Sequence, residues 1–171
     1  MVKIIHIITS LDSGGAENML LKLLTNIKNE DLYHEVITLR DKGTIGPQRE
    51  QLGIKVHEIN LNVFKIIQNL KKVSALCNSF DIIDTWLYHS DIIGLIFSKC
   101  ISKKKVIWNI RHSNLKYEEN KKLTLFLVKI NAFLSRYVEL ITFNSNESKS
   151  NHEKFGYRCK ESIVIYNGFD L

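Results

Sequence analysis

Scarcity narrows the class of this 171-residue chain before any motif is considered. Its three cysteines, Cys77, Cys100 and Cys159, are odd in number and widely spaced, with no C-x-x-C pair. That argues against a disulfide framework and a thiolate metal site, and makes the cytoplasm the default expectation. No run approaches the ~18 apolar residues a membrane span needs, so the protein is not expected to be integral to a membrane. The run Ile4-Ile5-His6-Ile7-Ile8 is too short for the apolar region of a signal peptide and lacks a small-residue cleavage site. It reads as a buried strand. Low-complexity tracts, internal repeats and linker-like stretches are all missing, so no domain boundary is drawn within residues 1–171. Aromatic residues do not interleave with the basic clusters as they do where side chains stack on single-stranded bases, so nucleic acid is the least expected partner.

What is present is the composition of a globular domain, 44% hydrophobic and 25% charged. A chain of this length buries about 70% of its unfolded surface, enough for a core without staples. The net charge is +6, with clusters at Lys71-Lys72, Lys103-Lys104-Lys105 and Lys121-Lys122. Such a balance suits phosphate-bearing substrates or anionic lipid, and equally a plain solvated surface.

Short apolar runs alternate with helical periodicity along the whole chain. Strands are predicted over Lys3–Thr9, His34–Leu39, Lys55–Ile59, Ile82–Thr85, Lys105–Ile110, Leu140–Phe143 and Ser162–Ile165. Helices are predicted over Ala16–Lys28, Val63–Cys77, Ser90–Cys100, Glu118–Tyr137 and Glu147–Lys154. In the first helix Met19, Leu20, Leu23, Leu24 and Ile27 mark one apolar face. Pro47, the sole proline, follows Gly46 at the expected start of a short helix. Alternation of this kind implies an α/β fold: a doubly wound, mostly parallel, Rossmann-like sheet with helices on both faces. Ligands then bind beyond the carboxyl ends of the strands, which draws attention to Ser10–Glu17, Trp86–Asp91, Arg111–Leu115 and Asn144–Glu147.

Within the first of these, Gly14 and Gly15 separate a strand from a helix. They let backbone approach a ligand, and the helix start presents free N–H groups suited to phosphate or a sugar hydroxyl. The plain alternative is a tight turn capped by Ser13, with Glu17 favouring the helix dipole. There is no G-x-G-x-x-G or Walker sequence, and only Asp41 offers itself as a ribose ligand after the second strand, so a nicotinamide oxidoreductase is disfavoured. His112, just past a strand end, should face the crevice, and His89 occupies the equivalent loop after the fourth strand. His6, His34, His57 and His152 fall within strands or a helix and are expected to serve packing or solvent exposure. No histidine pair has metal-ligand spacing, and no metal site is expected. Arg111 suits a phosphate or an acidic sugar, or a surface carboxylate. Ser113, Asn144 and Ser145 offer hydroxyl and amide groups, although Ser145 is also an ordinary N-cap. The helix near Glu118–Tyr137 carries more apolar positions than one narrow face needs. Packing on the sheet is the default, and contact with an anionic membrane surface is the alternative.

Taken together in chain order, these segments resemble the N-terminal domain of glycosyltransferase family 4, retaining enzymes of the GT-B fold. Ser10-Leu11-Asp12-Ser13-Gly14-Gly15-Ala16-Glu17 resembles the family's Gly-Gly-Ala-Glu loop. Gly46-Pro47-Gln48 through Leu52-Gly53-Ile54-Lys55-Val56 resembles its passage into the third strand. Phe80-Asp81-Ile82-Ile83-Asp84-Thr85 with His89, Ile110-Arg111-His112-Ser113, and Ile141-Thr142-Phe143-Asn144-Ser145-Asn146-Glu147 resemble the fourth, fifth and sixth strands. Val164-Ile165-Tyr166-Asn167-Gly168-Phe169-Asp170 resembles the junction between domains. Trp86-Leu87-Tyr88-His89 is bulkier than the family's usual small-residue turn, and Trp108-Asn109 is unusual in the fifth strand.

The resemblance implies transfer of a sugar from a nucleoside-diphosphate donor to an acceptor hydroxyl, with retention, in polysaccharide, lipopolysaccharide or glycolipid synthesis. It implies His112 as the residue that hydrogen-bonds the transferred sugar near the reacting carbon. Gly14, Gly15, Glu17, His89, Arg111, Ser113, Asn144 and Ser145 would bind substrate. No cofactor is implied, because the nucleotide sugar is a substrate held mainly by a C-terminal domain. That domain's basic diphosphate-binding pair and glutamate-rich motif are not in this sequence, so the chain alone is expected to be inactive. Its expected partners are a sugar or lipid-linked acceptor, the nucleotide sugar and its own C-terminal domain, with peripheral contact at the inner membrane face. The alternative from another class is a free-standing Rossmann-like subunit that needs a separate catalytic chain.

Overall fold

The computed structural model describes residues 1–27, 29–40, 43, 53–59, 66–115 and 121–168. The turn at Gly46-Pro47-Gln48 with Leu52, Asp41, the expected helix starts at Val63 and Glu118, and Phe169-Asp170 lie outside them.

The strands are β1 (Val2–Ile8), β2 (Leu32–Thr38), β3 (Lys55–Glu58), β4 (Ile82–Trp86), β5 (Lys105–Ile110), β6 (Leu140–Phe143) and β7 (Glu161–Val164). They form one sheet in the order β3-β2-β1-β4-β5-β6-β7, and every pairing is parallel. From β1 the chain winds outward through β2 and β3, then returns to β4 and winds the other way. The reversal lies between β1 and β4, where right-handed crossovers leave an open crevice beyond the strands' carboxyl ends.

The helices are α1 (Gly15–Asn26), α2 (Ile66–Ser79), α3 (Tyr88–Ile96), α4 (Lys122–Leu134) and α5 (Asn146–Lys154). A π-helical extension, Phe97–Ser102, continues α3, and a 3-10 turn, Ser135–Tyr137, continues α4. Alternation along each strand sends side chains to opposite sheet faces, so two cores form. The smaller joins Ile8, Val36, Val56 and Trp86 to Leu20 and Leu24 of α1. The larger joins Ile5, Ile7, Ile83, Trp108 and Phe143 to Val73 of α2, Leu95 of α3 and Val128 of α4. Gly94 sets how closely α3 approaches, since a Cβ there would lie 2.3 Å from Cγ2 of Thr85 on β4.

Two expectations are corrected here. The face that α1 buries is Ala16, Glu17, Leu20 and Leu24, whereas Leu23 is 41% exposed. Burial follows the i, i+4 row that meets the twisted sheet, so the apolar stripe is narrower than the sequence suggests. The residue at the N-cap of α1 is Gly14, not Ser13, and no side chain caps that end.

Candidate functional site

Parallel strands place the connections after β1, β4, β5 and β6 along one rim of the sheet, and each of these four carries part of the site. After β1 the chain turns at Gly14, whose N–H donates to the carbonyl of Asp12 at 2.9 Å. A Cβ on Gly14 would collide with Glu17, 2.3 Å from Oε2, so the buried Glu17 folds back over the glycine. A Cβ on Gly15 would meet nothing within 4 Å. The free N–H groups of the first turn of α1 sum to a partial positive charge, with the Glu17 carboxyl group lying over Gly14 beside them.

After β4, Leu87 takes φ 74° and ψ 147°, a conformation that costs a non-glycine residue about 1–3 kcal/mol. This bulky turn passes directly into α3. Thr9 and Ser90 hydroxyls bond at 3.1 Å, tying the end of β1 to the first turn of α3 across the reversal point. Asp91, fully buried, accepts from Thr85 Oγ1 at 2.5 Å. Burial drives its carboxyl pKa well above the ordinary range, and its Oδ2 has no partner. His89, expected in the loop, is exposed in the first turn of α3, because the helix already begins at Tyr88, and its pKa is lowered by partial burial and then by Arg40.

After β5 comes the loop of Arg111, His112 and Ser113. Two hydrogen bonds strap its backbone to α5. Ser148 Oγ donates to the His112 carbonyl at 2.9 Å, and Asn151 Nδ2 donates to the Ser113 carbonyl at 2.9 Å. The His112 imidazole is exposed and meets the ring of Tyr88 edge-on, with centroids 6.4 Å apart. Tyr88 is held in turn by His152. The Ser148 carbonyl can only accept, so His152 Nδ1 donates to it at 2.8 Å and Nε2 accepts from Tyr88 Oη at 2.8 Å. Burial lowers the His152 pKa to about 4, which keeps that ring neutral and its acceptor nitrogen available. Next to the loop, Ser113, Asn114, Leu115, Glu147, Asn151, Lys154 and Phe155 line a cleft of about 550 Å³.

After β6, Asn144 Nδ2 donates to the Arg111 carbonyl at 3.2 Å, while its buried Oδ1 has no donor. Ser145 takes the capping role: its hydroxyl accepts from Ser148 N–H at 3.0 Å. Arg111 turns away from the cleft. Its guanidinium lies 4.9 Å over Trp86 and donates to Asn167 Oδ1 at 3.1 Å and the Ile165 carbonyl at 3.4 Å. It fastens the chain leaving β7 to the centre of the sheet.

The structure thus gathers His112, Ser113 and Asn144 on one side of the reversal point, with Gly14, Gly15 and Glu17 at the start of α1. His89 stands in the first turn of α3. Arg111 and Ser145 are engaged in holding the loops.

Beneath this rim runs a feature the sequence reading missed. His6, Asp84, Asn109 and Thr142 occupy successive strands on the α1 face, all buried. His34 Nδ1 and His6 Nε2 are 3.0 Å apart, and His6 Nδ1 meets Asp84 Oδ2 at 2.7 Å. Trp86 Nε1 donates to the same oxygen at 2.9 Å. Asn109 Nδ2 donates to Asp84 Oδ1 at 2.5 Å, and Thr142 Oγ1 donates to Asn109 Oδ1 at 2.7 Å. A continuous polar row therefore crosses β2, β1, β4, β5 and β6. Its sequence signal was the polar residues that interrupt these apolar strands, among them His6, Asp84, Asn109 and Thr142.

Residues 13–171 match the profile of Glycosyltransferase Family 4. The chain belongs to this family. Over its whole length it is 26% identical to the capsular polysaccharide biosynthesis glycosyltransferase CapH of Staphylococcus aureus, covering 48% of that protein. Its fold matches HepE of Anabaena in complex with UDP (TM-score 0.80, 24% identity, 99% of this chain and 45% of that one). The HepE complex with UDP-glucose gives a TM-score of 0.82 at 24% identity, again over 99% and 45%. A glycosyltransferase from Rickettsia africae matches with a TM-score of 0.70 at 16% identity, over 96% of this chain and 42% of that one. The chain spans about half the length of these relatives. Among family 4 enzymes, then, it is a Rossmann-like half of a GT-B fold, as the motifs implied.

Proposed function

We propose that this chain is the acceptor-side domain of a retaining hexosyltransferase, which moves a sugar from a nucleoside diphosphate to a growing surface polysaccharide. The observation that carries this reading is the His112 loop. An exposed imidazole sits at the carboxyl end of β5, on backbone fixed to α5, beside a cleft of about 550 Å³. The family match supports sugar transfer, the relation to CapH supports polysaccharide, and the UDP-bound HepE structures support a nucleotide sugar as donor.

In this reading His112 hydrogen-bonds the sugar in flight. Ser113 and the unpaired oxygen of Asn144 orient the acceptor hydroxyl, since positioning of this kind removes much of the entropic barrier. The start of α1 at Gly14 and Gly15 aims its dipole toward negative charge growing on the leaving diphosphate. A second domain supplies the main diphosphate contacts, so residues 1–171 form one acceptor-side unit that does not turn over alone. The reading assigns no metal or organic cofactor to the chain.

The test is transfer of labelled sugar from UDP-glucose and other nucleoside-diphosphate hexoses onto glycan acceptors, with and without a donor-binding half. Transfer only in the joined protein, with the anomeric configuration kept, is the expected result. Transfer by the 171-residue chain alone, or inversion at the anomeric carbon, contradicts it.

A further inference from the structure

The outward side of α4 is built against the usual rule for an exposed helix. Leu125, Val128, Asn131 and Ala132 face the core and are buried. The opposite side should be polar, yet Leu123 is 66% exposed, Phe126 59%, Phe133 59% and Tyr137, in the following 3-10 turn, 50%. Their spacing of three, seven and four places them on one stripe, with its centre turned away from the protein.

Charge along the stripe has one sign. Lys122, Lys129 and Arg136 recur every seven residues on one flank, and from Lys121 to Tyr137 there is no aspartate or glutamate. Arg136 lies over the ring of Phe133, 4.3 Å from its centroid, so the cation accompanies the aromatic at the stripe's end. A protein partner would have to offer a groove and a matched acidic rail. A membrane offers both elements at once, an apolar layer for the rings and a plane of anionic headgroups for an evenly spaced cationic edge.

We infer that the outward face of α4 docks the protein on an anionic lipid surface, lying in the interface. Among the described residues no helix is long and apolar enough to cross a membrane, which fits attachment by one face. The helix begins just beyond the β5 loop that carries His112, so docking sets the crevice at headgroup level. A lipid-linked acceptor follows only if the proposed function holds; the docking itself does not depend on it.

The test is flotation of the purified chain with vesicles of phosphatidylcholine containing phosphatidylglycerol, and with phosphatidylcholine alone. Binding to the anionic vesicles only is expected. Near an anionic surface each lysine contributes about fivefold, so K122A/K129A should weaken binding about thirtyfold. K71A/K72A, which removes two exposed charges from α2, should leave binding within about twofold. F126S/F133S should abolish it with an unchanged circular dichroism spectrum, since both rings lie outside the core. Three results overturn the inference: no vesicle binding by the parent chain, equal loss in K71A/K72A, or a dimer abolished by F126S/F133S in a chain that ignores vesicles. Sugar transfer enters none of these readings, so a failed transfer assay leaves them separate.

Discussion

Acid should loosen the His112 loop through His152, and the effect has a calculable size. In the fold the His152 ring is buried and neutral, with a pKa lowered to about 4, whereas an unfolded histidine titrates near 6.5. Between those values the unfolded chain binds the extra proton, so stability falls as the pH is lowered through that window. The slope approaches about 1.4 kcal/mol per pH unit, and the full loss is about 3 kcal/mol, complete below a pH of about 4. Protonation also removes the Nε2 acceptor that holds Tyr88, the ring against which His112 rests. His34, with a pKa also lowered to about 4 by burial and then by His6, adds a smaller loss in the same direction because it is half-exposed. Urea unfolding followed by the fluorescence of the buried Trp86 and Trp108 measures this directly. Glu35 and Glu139 also have lowered pKa values. In each, burial pushes up but is outweighed, by hydrogen bonds from Tyr33 and His57 for Glu35 and from Lys99 and the Val106 N–H for Glu139. Their contributions are lost only as pH falls below the ordinary carboxylate range. From about pH 6.5 to 5 these two carboxylates are therefore silent, while Asp91, whose raised pKa makes the fold bind the extra proton, works against the histidines. H152Q keeps a donor and an acceptor but cannot titrate, so the wild-type slope minus the H152Q slope gives the share of His152, approaching about 1.4 kcal/mol per pH unit. An unchanged slope in H152Q would refute the assignment.

Three further outcomes test other parts of the structure. Gly94→Ala should destabilise the protein by about 1–3 kcal/mol in urea unfolding, because a Cβ would drive α3 off Thr85. Asp84→Ala should cost about 3 kcal/mol or more, since His6, Trp86 and Asn109 would all lose their shared acceptor in a buried row; a loss below about 1 kcal/mol would mean the row contributes little. Gly15→Ala should leave stability unchanged or raise it by up to about 1 kcal/mol, because the added methyl meets nothing and alanine favours helix. If the start of α1 receives substrate, the same change should raise KM in sugar transfer, and an unaltered KM would remove Gly15 from the site.

The fold was legible because its strands announce themselves. Runs such as Ile4–Ile8 are apolar on both faces save for His6, as expected of a strand covered on both sides, and the intervening helices carry 3.6-residue periodicity. All seven strands fall within two residues of their predicted bounds. The rim loops were legible for the same reason, since a parallel sheet puts every strand's carboxyl end on one side. What a loop residue does there was not. Whether Arg111 reaches a ligand or clamps Asn167, 56 residues further on, depends on the path of the chain after β7, which no local pattern encodes. The polar row was missed because register decides it. His6 and Asp84 read as isolated interruptions until parallel pairing sets them side by side. The outward stripe of α4 was visible only as an excess of apolar positions, and became a face once the sheet fixed which side is buried.

His112 is the centre of the proposed site. In the protein joining this domain to a donor-binding half, His112→Ala should lower kcat by about a hundredfold or more while KM changes by less than about threefold, because the lost hydrogen bond acts on the reacting sugar. Wild-type kcat in a folded His112→Ala protein would contradict the proposed site at its centre.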